Sequence, residues 1–173
     1  TAVGSVSITQ GTLTNANNAN YDITYNNGTL TINKATLTVT ADNQTRVYGD
    51  ANPTLTYGIT GYVNGQNLGS SGVTGTPSIT TSASQSSSVG TYLITSAAGS
   101  LSATNYQFNY VDGTLTVNRR PVTITGDAKT KTYGDNNPGL TYTVATDGVG
   151  ASRGLYSTDT LMGSLATTAS ATT

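Results

Sequence analysis

The oxygen atoms best placed for chemistry belong to a motif that occurs twice, Tyr48-Gly49-Asp50 with Asn52-Pro53 and Tyr133-Gly134-Asp135 with Asn137-Pro138. Carboxylate and amide oxygens are hard donors, and a Ca²⁺ ion takes about six to eight of them. Each motif offers a single Asp, and the chain has no Glu at all. The same residues make a turn more readily: Gly permits the tight backbone, Asp caps amide groups, and Pro ends the turn. All ten positions are therefore read as a structural motif, with no metal assigned to them.

Other chemistry is narrowed by composition. The 173 residues contain no His and no Cys, which removes the imidazole base, the thiolate nucleophile, the ordinary zinc site and the disulfide. No base exists to activate a Ser, and the stretch from Gly72 to Gly75 does not have the pattern of a nucleophile elbow. The expectation is no catalytic residue, no cofactor and no enzyme activity. Outward Thr-x-Thr rows, or Tyr62 and Tyr156, could present hydroxyls and rings to a glycan or to ice, although Thr equally suits a solvated strand face. Asn27-Gly-Thr29 and Asn43-Gln-Thr45 match the N-glycosylation pattern, read as chance. Lys34 has no evident acidic partner for an intramolecular amide bond. Seven Lys and Arg against eight Asp leave a net charge of -1, with no basic stripe to neutralise phosphates, so nucleic acid is a poor partner. No apolar run approaches the roughly 20 residues of a spanning helix, and residues 1–5 lack the features of a signal peptide. The chain reads as a mature segment or a processed product.

A fixed internal period organises everything else. Tyr48 maps onto Tyr133, an offset of 85, and the same offset carries Asn20-Tyr21 through Gly28-Thr-Leu-Thr-Ile-Asn33 onto Asn105-Tyr106 through Gly113-Thr-Leu-Thr-Val-Asn118. One complete module spans 34–119. It is flanked by the closing part of a preceding module, 1–33, and the opening part of a following one, 120–173. The two fragments are complementary, and a half-module exposes strand edges and an unfilled core. Three arrangements are open: one period of a much longer polypeptide, subunits in which 120–173 of one chain is completed by 1–33 of the next, or an arbitrary fragment. The expected partners are identical modules head-to-tail, as one giant chain or as a polymer, with a host or matrix glycan as a further class.

These residues must be positioned by strands. Thr36-Leu-Thr-Val-Thr40 and Thr114-Leu-Thr-Val117 alternate with period two, placing Leu37, Val39, Leu115 and Val117 on one face. Strands are expected near 35–41, 45–48, 55–61, 73–81, 90–95, 105–111 and 113–118, with a helical turn conceivable only over 63–68. Asp112-Gly113 and Asn27-Gly28 read as hairpin turns. The fold expected is all-β: tandem small antiparallel immunoglobulin-like β-sandwich modules of about 85 residues, with a β-grasp-like sheet as the alternative. Few residues separate the modules at Asn33-Lys34 and around Pro121, which predicts a stiff array.

Tyr48-Gly-Asp-Ala-Asn-Pro-Thr-Leu-Thr-Tyr57, Val89-Gly-Thr-Tyr92 and Asn105-Tyr through Gly113-Thr-Leu-Thr-Val117 resemble the YGX-type MBG repeats of large bacterial surface adhesins, including those similar to filamentous haemagglutinin. The resemblance implies a secreted stalk in a cell-surface or biofilm-matrix protein and implies no catalytic residues. The sequence departs from its own repeat at 143–158, which is longer and more irregular than 58–67.

Overall fold

The computed structural model describes residues 2–148 and 151–171. Eleven strands follow one another: β1 Gly4–Ile8, β2 Gly28–Ile32, β3 Ala35–Ala41, β4 Gln44–Val47, β5 Tyr57–Thr60, β6 Ser78–Thr81, β7 Gly90–Ala97, β8 Tyr106–Val111, β9 Gly113–Asn118, β10 Ile124–Gly126 and β11 Tyr142–Val144. They distribute over two compact units, one built from residues up to 43, 55–81 and 93–114, the other from 44–54, 82–92 and the chain from 115 on. In the first unit β3 sits at the centre of the sheet β5-β3-β8, antiparallel to β5 and parallel to β8. The ribbon β1-β2 and the pair β6-β7 are antiparallel. In the second unit β4 runs parallel to β9, and β10 runs antiparallel to β11. The strand order of the largest sheet is β4-β9-β7-β6.

The fold is all-β and immunoglobulin-like, with mixed rather than purely antiparallel sheets. The face that the alternation picks out is buried: Leu37, Val39, Ala41, Ile94 and Tyr106 in the first unit, Leu115 and Val117 in the second. Each of the Leu, Ile and Val side chains contributes about 1.5–3 kcal/mol when fully removed from water. The threonines between them remain half-buried or exposed, so one face of each strand carries the core and the other meets solvent.

Three local expectations are corrected. Asp112-Gly113 is not a hairpin turn, because β8 and β9 belong to different sheets and the dipeptide is the corner where the chain leaves one for the other. Gly113 is required there by close approach: a Cβ would stand 2.5 Å from the carbonyl oxygen of Ala41. The corner is pinned by polar bonds. Ser96 N–H donates to Asp112 Oδ1 at 2.8 Å, and Thr114 N–H donates to Asn43 Oδ1 at 2.8 Å. Asn27-Gly28 likewise joins no hairpin, since β2 pairs back with β1 and residues 21–27 form no strand. Residues 63–68 make turns rather than a helix, because Asn64 and Gly65 adopt φ of 55° and 68°, outside the right-handed helical region. The one short 3₁₀ turn among the described residues is Asn15–Asn17.

The period seen in the sequence recurs in the register. Val39↔Ile59, Thr40↔Gly58 and Ala41↔Tyr57 become Ile124↔Val144, Thr125↔Thr143 and Gly126↔Tyr142 at an offset of 85. Asp42 N–H donates to Thr56 O at 2.9 Å, and Asp127 N–H donates to Thr141 O at the same distance. The carboxylate of Asp127 also accepts from the hydroxyls of Thr141 and Thr143. These bonds, Thr141 first, hold its carboxyl below the ordinary aspartate value.

Two outcomes follow from this packing. Gly113→Ala destabilises the chain by about 1–3 kcal/mol, read as a lowered midpoint in calorimetry. Gly126→Ala, whose Cβ would meet nothing within 4 Å, leaves the midpoint almost unmoved. Because folding lowers the Asp127 pKa, its contribution is fully present above the unfolded value near 3.9 and is lost as pH falls through the folded one. Carboxyl-carbon NMR titration of Asp127 gives a depressed midpoint, and Thr141→Val moves it upward.

Candidate functional site

The Tyr-Gly-Asp motif begins where β4 ends. Tyr48 N–H donates to Asn118 O at 2.9 Å, Asp50 N–H donates to Val47 O at 3.1 Å, and Gly49 takes a φ of 85°. That value is one that L side chains rarely adopt, which accounts for glycine in both copies; Gly134 has a φ of 93°. A turn is present at Asp50 and again at Asp135, whose N–H donates to Thr132 O at 3.1 Å. Behind the first turn, buried Arg46 donates from Nε to Asn52 Oδ1 at 2.8 Å and from Nη2 to Ser84 O. Asn52 Nδ2 donates to Ala83 O at 2.6 Å, and Pro53 is half-buried beside it. The second motif repeats this clamp in reduced form: Lys131, at the position of Arg46, donates to Ser170 O, and Asn137 Nδ2 donates to Ala169 O at 2.6 Å. Pro138 lines a shallow groove with Leu140, Thr167 and Ala169.

What the two motifs hold differs. Asp50 accepts two bonds from Arg153, Nη1 to Oδ2 at 2.8 Å and Nη2 to Oδ1 at 2.9 Å, a bidentate fork. Arg120 Nη1 approaches Asp50 Oδ1 at 3.4 Å, and Arg120 also donates from Nε to Gly154 O at 3.0 Å and from Nη2 to Arg153 O. The pairs are partly screened by solvent, with side-chain exposures of 29% for Asp50, 13% for Arg120 and 37% for Arg153. Tyr156 completes the contact. Its ring meets Tyr48 edge-on at a centroid distance of 5.4 Å, and a Cβ on Gly49 would stand 2.6 Å from that ring. A hydrogen bond with Asp159 raises the Tyr48 hydroxyl above the ordinary tyrosine value, and burial adds to the shift. By contrast, Tyr133 is 80% exposed and a Cβ on Gly134 would meet nothing within 4 Å.

The site is thus an electrostatic latch. Both Asp50 oxygens are engaged by guanidinium groups, which suits holding the 153–156 segment rather than ligating a cation. Arg120 and Arg153 were not legible as partners of Asp50 from the motif alone. The available signal was Arg120 at the position where the first repeat has Ala35, and a second Arg, Arg153, inside the stretch that departs from the repeat. The irregular stretch 143–158 contains Arg153 and Tyr156, so the departure from the repeat is where the latch is made. Of the tyrosines considered for sugar stacking, Tyr62 has its hydroxyl buried without a hydrogen-bond partner and packs edge-on against Tyr106. Lys34 Nζ donates to Ala103 O at 2.9 Å, and Asn43 is occupied at the corner described above.

Asp50→Ala removes the bidentate acceptor of Arg153 and one contact of Arg120, and lowers stability by about 1–2 kcal/mol, discounted for exposure. A double-mutant cycle with Arg153→Ala returns a coupling energy of the same sign. Asp147→Ala, which loses only an exposed pair with Arg153 at 3.9 Å, costs under about 0.5 kcal/mol by chemical denaturation.

Among the described residues no helix is long and apolar enough to cross a membrane. No curated protein and no solved structure matches the chain. The family described as the MBG domain of YGX type matches residues 37–116 and matches again over 122–173, so the Asp50 turn falls in one match and Arg153 in the other. With the repeated register, the repeated turn and most of its length accounted for in this way, the chain belongs to the MBG domain family of YGX type.

Proposed function

We infer that the chain is a structural spacer, a run of tandem β modules in a long extracellular protein of the bacterial surface, with an adhesin stalk or a biofilm-matrix filament as its setting. The observation that carries this reading is the latch at Asp50. A carboxylate in one family match is held by arginines at and beyond the connection to the next, and such bonds oppose hinge motion between consecutive repeats. The short passage from Asn118 to Ile124, with Pro121 fixing one φ, acts in the same direction. Domains of 34–119 and of 120 onward, each with its own Tyr-Gly-Asp turn, are the natural units of such an array. The family is one of structural modules, and no residue in this chain takes a catalytic part in the proposed role.

Glycan recognition through Tyr62 or Tyr156 is the second reading, and the packing of both rings weighs against it. The cleft of about 270 Å³ beside Tyr48, Arg119, Tyr156 and Asp159 is the place where a sugar would have to bind.

Antibodies raised against this chain label intact cells of the source organism, and protease treatment of those cells removes the label; labelling confined to lysed cells refutes the surface assignment. In small-angle scattering, Asp50→Ala together with Arg153→Ala broadens the distribution of maximum dimensions, as expected for a latch that limits hinge motion. A glycan array that retains the chain, with binding lost on Tyr156→Ala, favours the second reading instead.

A further inference from the structure

A strand at the edge of a sheet carries unpaired backbone groups along one side, and folded chains blunt such edges with short length, Pro or an inward-pointing charge. Three edges of the two larger sheets are treated in this way. β5 is four residues long and contains Gly58, β6 is four residues long and follows Pro77, and β4 is four residues long and carries buried Arg46. β8 has none of these devices. It runs for six residues, Tyr106-Gln-Phe-Asn-Tyr-Val111, without charge, Pro or Gly, and it has β3 on one side and, among the described residues, no strand on the other.

The open side of β8 follows from its bonded side. Ala35 N–H donates to Asn105 O at 3.1 Å, and the parallel register then assigns residues 105, 107 and 109 to the ladder with β3. Backbone groups alternate in direction along a strand, so those of Tyr106, Phe108 and Tyr110 face the open edge. Their side chains share a face with Ala35, Leu37 and Val39. Leu37 and Val39 are fully buried, whereas Phe108 and Tyr110 are only half-buried, and their rings stack along the edge at a centroid distance of 6.4 Å. Gln107, Asn109 and Val111 on the other face are exposed. All of these residues lie in the first unit and inside the complete module.

We propose that β8 pairs with β8 of a second copy of this chain, antiparallel about a two-fold axis at Phe108, joining two three-stranded sheets into one. The occupant is identified by the edge itself, since Tyr106-Gln-Phe-Asn-Tyr110 alternates aromatic and amide residues and has the same pattern in both directions. An antiparallel copy sets Phe108 opposite Phe108, Tyr106 opposite Tyr110 and Gln107 opposite Asn109. In that register each residue whose backbone faces the edge exchanges both hydrogen bonds with its opposite. The half-buried rings of one copy cover those of the other, and aromatic pairs directly across strands are favourable. No charge is brought against a like charge. Because both copies use the same residues, the contact is isologous and closes as a dimer. The inference goes beyond the spacer reading, for it sets copies side by side through an edge the module possesses whether or not it stands in a stalk.

The chain has no Cys, so single cysteines test the register directly. Full-length Gln107→Cys and Asn109→Cys chains are purified separately, then oxidised alone and as a mixture. The mixture gives a disulfide-linked heterodimer, because opposite Cα atoms of an antiparallel pair lie about 4.5–5.5 Å apart, inside the range of about 4.4–6.8 Å that a disulfide spans. Either variant alone gives little, since each cysteine meets its own copy only on a diagonal of about 7–8 Å. Equal cross-linking in all three samples overturns the register and the proposal with it. In sedimentation velocity the coefficient of the wild-type chain rises with concentration. Gln107→Lys/Asn109→Lys, which sets lysine opposite lysine at exposed positions, weakens the association by about tenfold or more while the melting midpoint stays in place. Mixing that variant with Gln107→Asp/Asn109→Asp restores it. A wild-type monomer at every concentration overturns the proposal, as does a lysine variant that associates like wild type. Failure of surface labelling would sink the spacer reading and leave these results standing, whereas a monomer here would leave the spacer reading intact.

Discussion

The parallel pairing of the first two strands of a module with its last two is the constraint on which the rest of the structure depends. Two stretches about 70 residues apart in sequence run side by side through both sheets, as the registers of β3 with β8 and β4 with β9 record. Parallel neighbours need a long connection between them, so a module cannot be closed until its full length is present. Leu37, Val39 and Tyr106 are buried in the first unit, and Leu115 and Val117 in the second. Closure also imposes the corner at Asp112-Gly113, where the chain passes so near the Ala41 carbonyl that no side chain fits.

Outside the complete module the same residue types pair differently. Tyr21 and Leu30 are exposed, while Tyr106 and Leu115, at the same places in the period, are buried. Antiparallel ladders, in contrast, form without closure. β10 and β11 keep the register of β3 and β5, and β1 pairs with β2, because each of these pairs needs nothing from the far end of a module. The structure therefore sorts its own interactions by how much of the period each one requires.

The Tyr-Gly-Asp turn shows how one motif serves in two ways. Its backbone geometry is common to both copies and follows from the positive φ of Gly49 and Gly134. Its side chains act only where cations reach them. Asp50 holds Arg153 and Arg120, and Gly49 leaves room for the ring of Tyr156. A surface ion pair is worth little alone. A bidentate fork, a second guanidinium and an aromatic contact at one place form a network, and a network restrains where a single pair would not.

Period-two alternation and the 85-residue offset determined the strands, the inward face and the all-β class, because side chains on successive strand residues point to opposite sides whatever the strand pairs with. They determined the turn at each Tyr-Gly-Asp as well, since the backbone demand on glycine is local. Pairing partners were not legible in this way. Asp112-Gly113 and Asn27-Gly28 carry the residues of a hairpin turn, yet neither joins paired strands, because whether two flanking segments bond depends on which other strands compete for their edges. The grip of Arg120 and Arg153 on Asp50 was equally hidden, for charge attraction acts through space and the residues it joins lie 70 and 103 positions apart. Local stereochemistry is written in neighbouring letters, while edge competition and long-range charge are settled only when the folded chain brings distant letters together.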